Sequence, residues 1–385
     1  MNNNHYIFTT LSVFILLCCS SIFLSIYSNP YNSDSLFSKR PSTDYFGGTR
    51  TSKAIQIIEG NYDAFILGSS RSEIGINPKN KLWGDLNTYN ASLAGSNLIE
   101  TYKVFQTIIE TGTPKLIVLA LDYSLFSPSR STSADFNLSR FDNTNNSFTS
   151  FFKEHLSKES IEKSIRKLKY IKLKKPPKYQ QGQKIGSLTF NKKIKTHGQN
   201  QLIFDTLTKK VIGNPEAYSS LGFSDYRMQL LQNLIQTCSD KNIELILFIS
   251  PVHALQLMTF KQMGIWENFL NWKKKLTHIS RKYPEIPLYD FTDLNLYITE
   301  TLPVHKSAIV MPSFWETSHY KETLGDHILN RVLNSSSSLN NAFGTKLNQK
   351  NITEEIAKQR FKLNSYEQAN KKLLVKIQGL IKTNN

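Results

Sequence analysis

Three short polar stretches of the chain contain the residue types of a serine acyl-transfer site. The first reads Leu67-Gly-Ser-Ser-Arg71 and directly follows an apolar run. A serine placed where a strand ends and a helix begins meets free backbone amides and the positive end of the helix dipole, which favours a nucleophile. The stretch is not the G-x-S-x-G elbow, because Ser72 stands where the second glycine belongs.

The second stretch reads Trp315-Glu-Thr-Ser-His-Tyr320. The spacing of three residues between Glu316 and His319 lets the carboxylate reach the imidazole from the same turn. That contact fixes the imidazole tautomer and leaves Nε2 free to accept a proton from a serine. The same spacing also occurs in a surface helix cap with an ordinary histidine, so the motif alone leaves both interpretations open.

The third stretch is Ala94-Gly-Ser-Asn97, which follows a second candidate strand. A glycine at position 95 lets a backbone N–H point into the site as an oxyanion donor. A plain strand-to-helix turn has the same sequence, and this alternative also stays open.

Five apolar runs predict the strands that position these stretches: residues 63–67, 89–93, 115–121, 244–249 and 287–291. Helical spacing lies between them, at Leu98–Ile109, around Leu230–Ile235 and over Gln256–Lys282. Alternating strands and helices predict an α/β fold, a three-layer α/β/α sandwich with a roughly five-stranded parallel sheet. The almost wholly apolar run 115–121 is typical of a strand covered on both faces.

An insertion interrupts this alternation at about residues 128–222. It contains Asn- and Ser-rich stretches and then a basic run, Lys163–Lys178. The basic run is interpreted as a solvated insertion, as a lid that binds an anionic partner, or as a cationic face on a membrane surface. Beyond the domain, Ser335–Ser338 predicts a spacer and Thr353–Lys382 a peripheral amphipathic helix.

The N-terminus predicts a retained membrane anchor. No charged residue occurs from Tyr6 to Tyr27, a run long enough to cross about 30 Å of hydrocarbon. The start MNNNH lacks the positive charge of a signal peptide, and no cleavage site is evident. The predicted segments are a tail over 1–5, a transmembrane anchor over 6–27, a linker over 28–53, a domain over 54–334, and a spacer with a C-terminal helix over 335–385.

The formal net charge of +17 predicts an anionic partner. Nucleic acid is not expected, because of the transmembrane run and because the Lys-rich segment lacks the interleaved aromatic residues of a stacking platform. Cys18, Cys19 and Cys238 form neither a disulfide framework nor a metal-ligand spacing. We therefore expect no metal and no cofactor.

Taken together, the three stretches resemble the SGNH hydrolase superfamily, whose first block is Gly-Asp-Ser and whose last is Asp-x-x-His. The first block here reads Gly68-Ser69-Ser70, and the last begins at Glu316 and ends at His319. The resemblance covers roughly residues 62–333. It implies Ser70 as nucleophile, His319 as base and Glu316 as the acid that orients it. It also implies that the backbone amides of Ser70 and Gly95 are oxyanion donors.

Within the superfamily the chain looks most like anchored bacterial proteins that modify cell-surface polysaccharides. These are the alginate O-acetylation proteins and the D-alanine transfer protein of teichoic acids. Ser250-Pro-Val-His253 also resembles this group, with His253 as pocket wall rather than base. The resemblance implies an inner-membrane protein with an extracytoplasmic, periplasmic body. Its implied partners are an acylated donor, either a small molecule or a membrane acyl carrier, and an anionic cell-surface polysaccharide.

The sequence departs from the family in its third block. Gly-x-Asn-Asp is absent, and Leu121-Asp-Tyr-Ser124 stands in its place. Asn97 and Tyr123 are the candidates to replace the missing side-chain oxyanion donor. Arg71 is interpreted either as a ligand for an anionic substrate group or as the ion-pair partner of a neighbour such as Glu73.

These observations lead to two hypotheses of different class. The first is a serine O-acetyltransferase or carbohydrate esterase that acts on a cell-envelope glycan. The second is a catalytically inactive SGNH-like module that binds glycan or scaffolds a membrane complex. Membrane orientation stays open, because Lys39, Arg40, Arg50 and Lys53 after the anchor favour a cytoplasmic body, against the family resemblance.

Overall fold

The computed structural model describes residues 3–31, 44–136, 141, 151–152, 155–214, 216–218, 222–304, 309–334 and 343–384. The strands are β1 Ala64–Leu67, β2 Thr88–Asn90, β3 Leu116–Leu121, β4 Tyr179–Gln180, β5 Gln183–Lys184, β6 Glu244–Ile249, β7 Leu288–Asp290 and β8 Thr345–Leu347. The helices before the insertion are α1 Asn3–Ser28, α2 Arg50–Glu59, α3 Ser70–Gly75 and α4 Leu98–Thr111. The insertion contributes α5 Lys158–Lys172, α6 Gly186–His197 and α7 Gln199–Thr206. The remainder are α8 Asp225–Asp240, α9 Ala254–Gln262, α10 Trp266–Ser280, α11 Glu322–Leu333, α12 Ile352–Ala369 and α13 Lys371–Asn384.

The fold is α/β, with a mostly parallel six-stranded sheet in the order β2-β1-β3-β6-β7-β8. Neighbouring strands are parallel from β2 to β7, and β8 pairs antiparallel with β7. The central strand β3 is buried along its whole length, as its apolar sequence predicts. Right-handed crossovers place α3 and α4 on opposite faces, because β1 connects to β2 in one direction and β2 connects to β3 in the other.

The count of about five strands is wrong by one. The sixth strand, β8, lies in the stretch that the sequence assigns to a spacer and a peripheral helix. Its three residues, Thr345–Leu347, are too few to show an alternating pattern. The predicted spacer itself lies outside the described residues.

The single helix expected over Gln256–Lys282 is two helices, α9 and α10. The break falls at Met263-Gly264, where Gly264 has a φ of 74°. A positive φ is accessible to glycine at little cost, and it ends a helix.

The N-terminal helix α1 is long and apolar enough to cross a membrane. It contains 26 residues, and its side chains from Tyr6 to Leu17 are largely exposed.

Close packing of α11 on α3 sets the distance between the two halves of the site. A Cβ atom on Gly325 of α11 would lie 1.7 Å from the carbonyl oxygen of Gly75, the last residue of α3. A Cβ atom on Gly75 would lie 2.0 Å from the ring of Tyr320. Only glycine at both positions lets α3, which begins with Ser70, approach the segment that carries His319.

We expect Gly325→Ala to lower the free energy of unfolding by about 1–3 kcal/mol, because the methyl group has no space. The matched control is Gly379→Ala in α13, where an added Cβ meets nothing within 4 Å. That change should raise stability by up to about 1 kcal/mol, because alanine favours a helix over glycine. Denaturant titration of the full chain measures both, and equal stability of the two variants would contradict the packing argument.

Candidate active site

Ser70 is the first residue of α3 and stands directly beyond the end of β1. Ser69 caps this helix, and its Oγ accepts a hydrogen bond of 3.2 Å from the backbone amide of Arg71. The Ser70 amide belongs to the first turn and has no intrahelical acceptor. It is therefore free to stabilise a developing negative charge next to the Ser70 hydroxyl.

A continuous chain of hydrogen bonds connects Ser70, His319 and Glu316. The Ser70 hydroxyl lies 2.8 Å from Nε2 of His319, although the two residues are 249 positions apart. Nδ1 of His319 contacts Oε1 of Glu316. This geometry assigns the imidazole proton to Nδ1 and leaves Nε2 as the acceptor for the Ser70 proton.

The carboxylate of Glu316 is buried, with 1% exposure, yet its pKa is lowered. Burial by itself raises the pKa of this group. The nearby His319 imidazole and the backbone amides of Ser318 and His319, at 2.8 and 3.1 Å, outweigh that effect. Glu316 is thus held as an acceptor, and its side chain reaches Nδ1 of His319.

Glu316 and His319 lie on a closed turn rather than on a helix. The amide of Trp315 donates to the carbonyl of His319 at 2.9 Å, and Phe314 pairs with Tyr320 in an isolated bridge. The backbone amide of His253 also donates to the carbonyl of Thr317 at 2.9 Å. This turn is therefore held at both ends and at its middle.

His253 supports the turn and does not face Ser70. Its Nδ1 accepts from the amide of Leu255 at 3.1 Å, and its Nε2 donates to the carbonyl of Glu300 at 2.8 Å. Burial lowers the pKa of His253 to about 4, so the ring is neutral. Its ring also lies edge-on to Phe314 at 5.8 Å. Both nitrogens of His253 are engaged and the side chain is fully buried, so it is not placed to act as the base, and its role as pocket wall stays a prediction.

Arg71 makes a buried ion pair with Asp122 at the end of β3, where Nη1 and Oδ1 lie 2.9 Å apart. Its Nε donates to Ser318 Oγ at 3.0 Å, and its Nη2 donates to the Tyr218 hydroxyl at 2.9 Å. Asp122 also accepts from the hydroxyl of Ser69. Of the two interpretations of Arg71, the structure shows ion pairing, with Asp122 rather than with Glu73.

Glu73 faces a different cation. Its carboxylate lies 3.8 Å from Nζ of Lys53, and both side chains are buried. Burial lowers the pKa of Lys53 to about 8 and raises that of Glu73. Lys53 also donates to the carbonyl oxygens of Asn90 and Gly182. This lysine therefore ties the β4–β5 hairpin of the insertion to the sheet behind α3.

Gly95 and Asn97 follow β2 at the same edge of the sheet. Gly95 is exposed and has a φ of 71°. Asn97 is fully buried and caps α4 through Oδ1, while its Nδ2 donates to the carbonyl of Arg130 at 3.2 Å and to Thr132 Oγ1 at 3.4 Å. The side-chain amide of Asn97 is thus occupied with the insertion, whereas the backbone N–H of Gly95 has no acceptor among the described residues.

Tyr123 lies in the core rather than beside Gly95. Its ring packs edge-on against Phe269 and Trp272, at 5.7 and 5.5 Å. Burial raises the pKa of its hydroxyl to about 12. The residue lines a small cavity together with Arg71 and Asp122.

Two parts of the site come from the insertion, and sequence reasoning missed them. Nε of Arg130 donates to the carbonyl of Gly95 at 3.3 Å, which places a guanidinium beside the predicted oxyanion loop. Phe190 of α6 stacks on Trp315 at 5.3 Å and lies 5.8 Å from the His319 ring. Neither Arg130 nor Phe190 stands in a motif. The sequence signal for an aromatic contact near the site was limited to Trp315, which stands next to Glu316.

Among the described residues, no group of three His, Cys, Asp or Glu side chains is placed to hold a metal ion. Cys238 is buried in α8, while Cys18 and Cys19 lie in α1.

No protein-family model matches the chain, and no curated protein matches it significantly. The interpretation of the site therefore depends on its geometry.

We expect a fluorophosphonate probe to label the full chain at Ser70, because His319 is placed to accept the hydroxyl proton. Ser70→Ala should abolish labelling. The matched control is Ser69→Ala, which removes the helix cap at a cost of about 0.5–2 kcal/mol but leaves the nucleophile. Labelling that survives in Ser70→Ala and disappears in Ser69→Ala would identify Ser69 as the nucleophile and would contradict this geometry.

We expect Glu316→Gln to slow this labelling by roughly 10²- to 10⁴-fold, because the neutral amide no longer stabilises the imidazolium or fixes its tautomer. Glu316→Asp keeps the charge and should retain more of the rate than Glu316→Gln. The labelling rate constants of the three proteins give the comparison. Equal rates for the glutamine variant and the unmodified chain would show that the acid has no role.

Proposed function

We propose that this chain is a membrane-anchored serine acyltransferase or esterase of SGNH type that acts on an O-acyl group of a cell-envelope glycan. The observation that carries the proposal is the hydrogen-bond chain from Ser70 through His319 to the buried Glu316. A nucleophile, a base and an orienting acid in this order are the minimum set for acyl transfer through a covalent intermediate.

The reaction follows from the positions of the three groups. The Ser70 oxygen attacks the ester carbonyl carbon while His319 takes its proton. The negative charge that develops on the carbonyl oxygen is stabilised by the backbone amides of Ser70 and Gly95. Collapse releases the alcohol, which takes the proton back from His319. A sugar hydroxyl or water then attacks the acyl-serine by the reverse steps and frees Ser70.

The order of the site along the sheet supports the SGNH assignment. Ser70 follows β1, Gly95 follows β2, and the turn that carries His319 follows β7. In an open parallel sheet, sites form at the carboxyl ends of the strands. The third-block asparagine is absent. In the stretch that stands in its place, Asp122 instead binds Ser69 and Arg71.

The charge around the site supports an anionic substrate. Arg130 lies beside Gly95, and no acceptor for its two Nη atoms occurs among the residues that the structure describes. Residues of the insertion, Arg130 and Phe190, border the site on either side of the catalytic residues. A cation for an acidic group and an aromatic face for a sugar ring are what an anionic glycan requires.

The membrane assignment has a narrower basis. One N-terminal helix, α1, is long and apolar enough to span a bilayer. We propose that it anchors the chain in the bacterial inner membrane with the body outside the cytoplasm, as the family resemblance implies. The orientation is tested by fusing to the C-terminus a phosphatase that is active only in the periplasm. An inactive phosphatase fusion, together with an active fusion to a reporter that works only in the cytoplasm, would place the body in the cytoplasm.

The occupied amide of Asn97 favours a second candidate function, a binding module without catalysis. With Asn97 engaged as a cap, the described part of the site contains no side-chain amide in place of the missing oxyanion donor. A folded chain that binds anionic polysaccharide but neither takes up a fluorophosphonate nor hydrolyses an acetyl ester would establish this alternative.

We expect Arg130→Gln to raise KM for an anionic aryl ester about 10-fold, the order of magnitude for one charge-assisted hydrogen bond. KM for a neutral acetyl ester should change little, and kcat for it should stay within about threefold. Arg281→Gln, which removes an exposed cation of the chain, is the matched control. Equal effects of Arg130→Gln on the anionic and the neutral ester would show that Arg130 supports the structure of the site and does not recognise the charge of the substrate.

A further inference from the structure

Helix α5 of the insertion is attached to the last turns of the apolar helix α1. The Ser25 hydroxyl lies 3.0 Å from Nδ1 of His155 and 2.8 Å from the Ser160 hydroxyl, and all three side chains are buried. Nζ of Lys167 donates to the carbonyl of Asn29 at 2.5 Å. Polar bonds that are buried against α1 fix the position of α5 relative to the anchor.

The length of α1 places this attachment at the edge of a bilayer. Its 26 residues measure about 39 Å at 1.5 Å per residue, which exceeds the roughly 30 Å of hydrocarbon. Apolar side chains from Tyr6 to Leu17 are more than half exposed, whereas Ser25 and Ser28 are buried. The final turns that α5 covers therefore extend into the headgroup region.

The free face of α5 combines cations with large apolar side chains. Arg166, Lys169 and Lys172 are exposed, and Ile165 and Leu173 on the same face are 57% and 53% exposed. Exposed lysines continue beyond the helix at positions 174, 175 and 178. Its acidic residues, Glu159 and Glu162, lie in the first two turns, and Glu159 pairs with Lys163, so the second half of the helix is strongly positive. Exposed apolar groups among cations are typical of helices that lie in the membrane interface.

The other end of α5 is attached to the body. Tyr170 lies against Tyr45 and Phe46, with ring centroids 5.5 and 6.2 Å apart. The Tyr45 hydroxyl donates to the carbonyl of Lys175 at 2.8 Å, and the amide of Lys178 donates to the carbonyl of Asp44 at 3.1 Å. Helix α5 thus connects the anchor to the segment that leads into α2 and the sheet.

We propose that the exposed face of α5 lies on the membrane surface and binds anionic phospholipid headgroups. The proposal depends on the membrane anchor of the proposed function, but not on its chemistry. Arg166, Lys169, Lys172 and Lys174 face the headgroups, while Ile165 and Leu173 enter the interface between them. Bound in this way, α5 holds the body at one height and one rotation above the bilayer, so that the site does not turn freely about the anchor.

The experiment uses the full chain in nanodiscs, with Cys18, Cys19 and Cys238 replaced by alanine and a fluorophore on Leu173→Cys. The discs contain phosphatidylcholine alone or a mixture with phosphatidylglycerol, and each includes a lipid with a headgroup quencher. We expect quenching at Leu173→Cys about threefold or more stronger in the anionic discs. A fluorophore on Leu16→Cys, within the anchor, reports insertion through a quencher in the acyl chains.

Two variants with the same loss of charge separate headgroup binding from a general effect. Replacement of Arg166, Lys169, Lys172 and Lys174 by glutamine should remove most of the lipid-dependent quenching. Replacement of Lys192, Lys193, Lys195 and Lys209 by glutamine, all exposed in α6 and after α7, should not. Fluorophosphonate labelling of Ser70 should be unchanged in both variants, since none of these residues contacts the site.

The outcomes distinguish this inference from the proposed function. An inserted Leu16→Cys probe with no quenching at Leu173→Cys in either disc overturns the inference and leaves the anchor intact. Equal quenching in neutral and anionic discs overturns the headgroup assignment. A Leu16→Cys probe outside the acyl region overturns the anchor, and with it the inference, while serine labelling still decides the chemistry.

Discussion

The buried ion pair of Arg71 and Asp122 determines the arrangement of the candidate site. The Arg71 guanidinium, near the end of β1, contacts three other parts of the chain through this pair and its hydrogen bonds. These are the end of β3, the turn that carries His319 and the insertion. Loss of one partner would leave a buried charge without compensation, which costs about 3–5 kcal/mol. Arg71, next to Ser70 in the chain, therefore fixes the geometry around Ser70 and His319.

Close backbone packing between α3 and α11 also fixes the geometry of the candidate site. Gly75 and Gly325 bring α3 and α11 into backbone contact, and the ring of Tyr320 fills the space beside Gly75. Ser70 is the first residue of α3, and His319 directly precedes Tyr320 in the chain. The 2.8 Å contact of Ser70 with His319 thus depends on this packing together with the hydrogen bond from Arg71 to Ser318, which joins the same two segments.

The insertion contacts the rest of the chain at several places, and three of these bear on α1, on the support of α3 and on the candidate site. Helix α5 joins α1 to the body, the β4–β5 hairpin is tied to the sheet by Lys53, and Phe190 stands against His319. The buried Lys53 contacts Glu73, Asn90 and Gly182 and so joins the hairpin of the insertion to the core. An insertion that only covered the site would need no such buried contact. The same segment therefore bears on the position of the body, on the support of α3 and on the wall of the site.

The sequence by itself determined the features that depend on local pattern. Apolar runs predicted the long N-terminal helix and the positions of the five parallel strands, since strand and helix periods are local properties of the chain. The i, i+3 spacing predicted the contact of Glu316 with His319 for the same reason. Only the tertiary structure decided which cation pairs with which acid. The sequence suggested a neighbour such as Glu73 for Arg71, whereas its partner Asp122 is 51 residues away and no local pattern links the two. Strand β8 was too short to show a period, and Arg130 and Phe190 stand in a segment without one, so their places at the sheet edge and beside the site depend on contacts between distant residues.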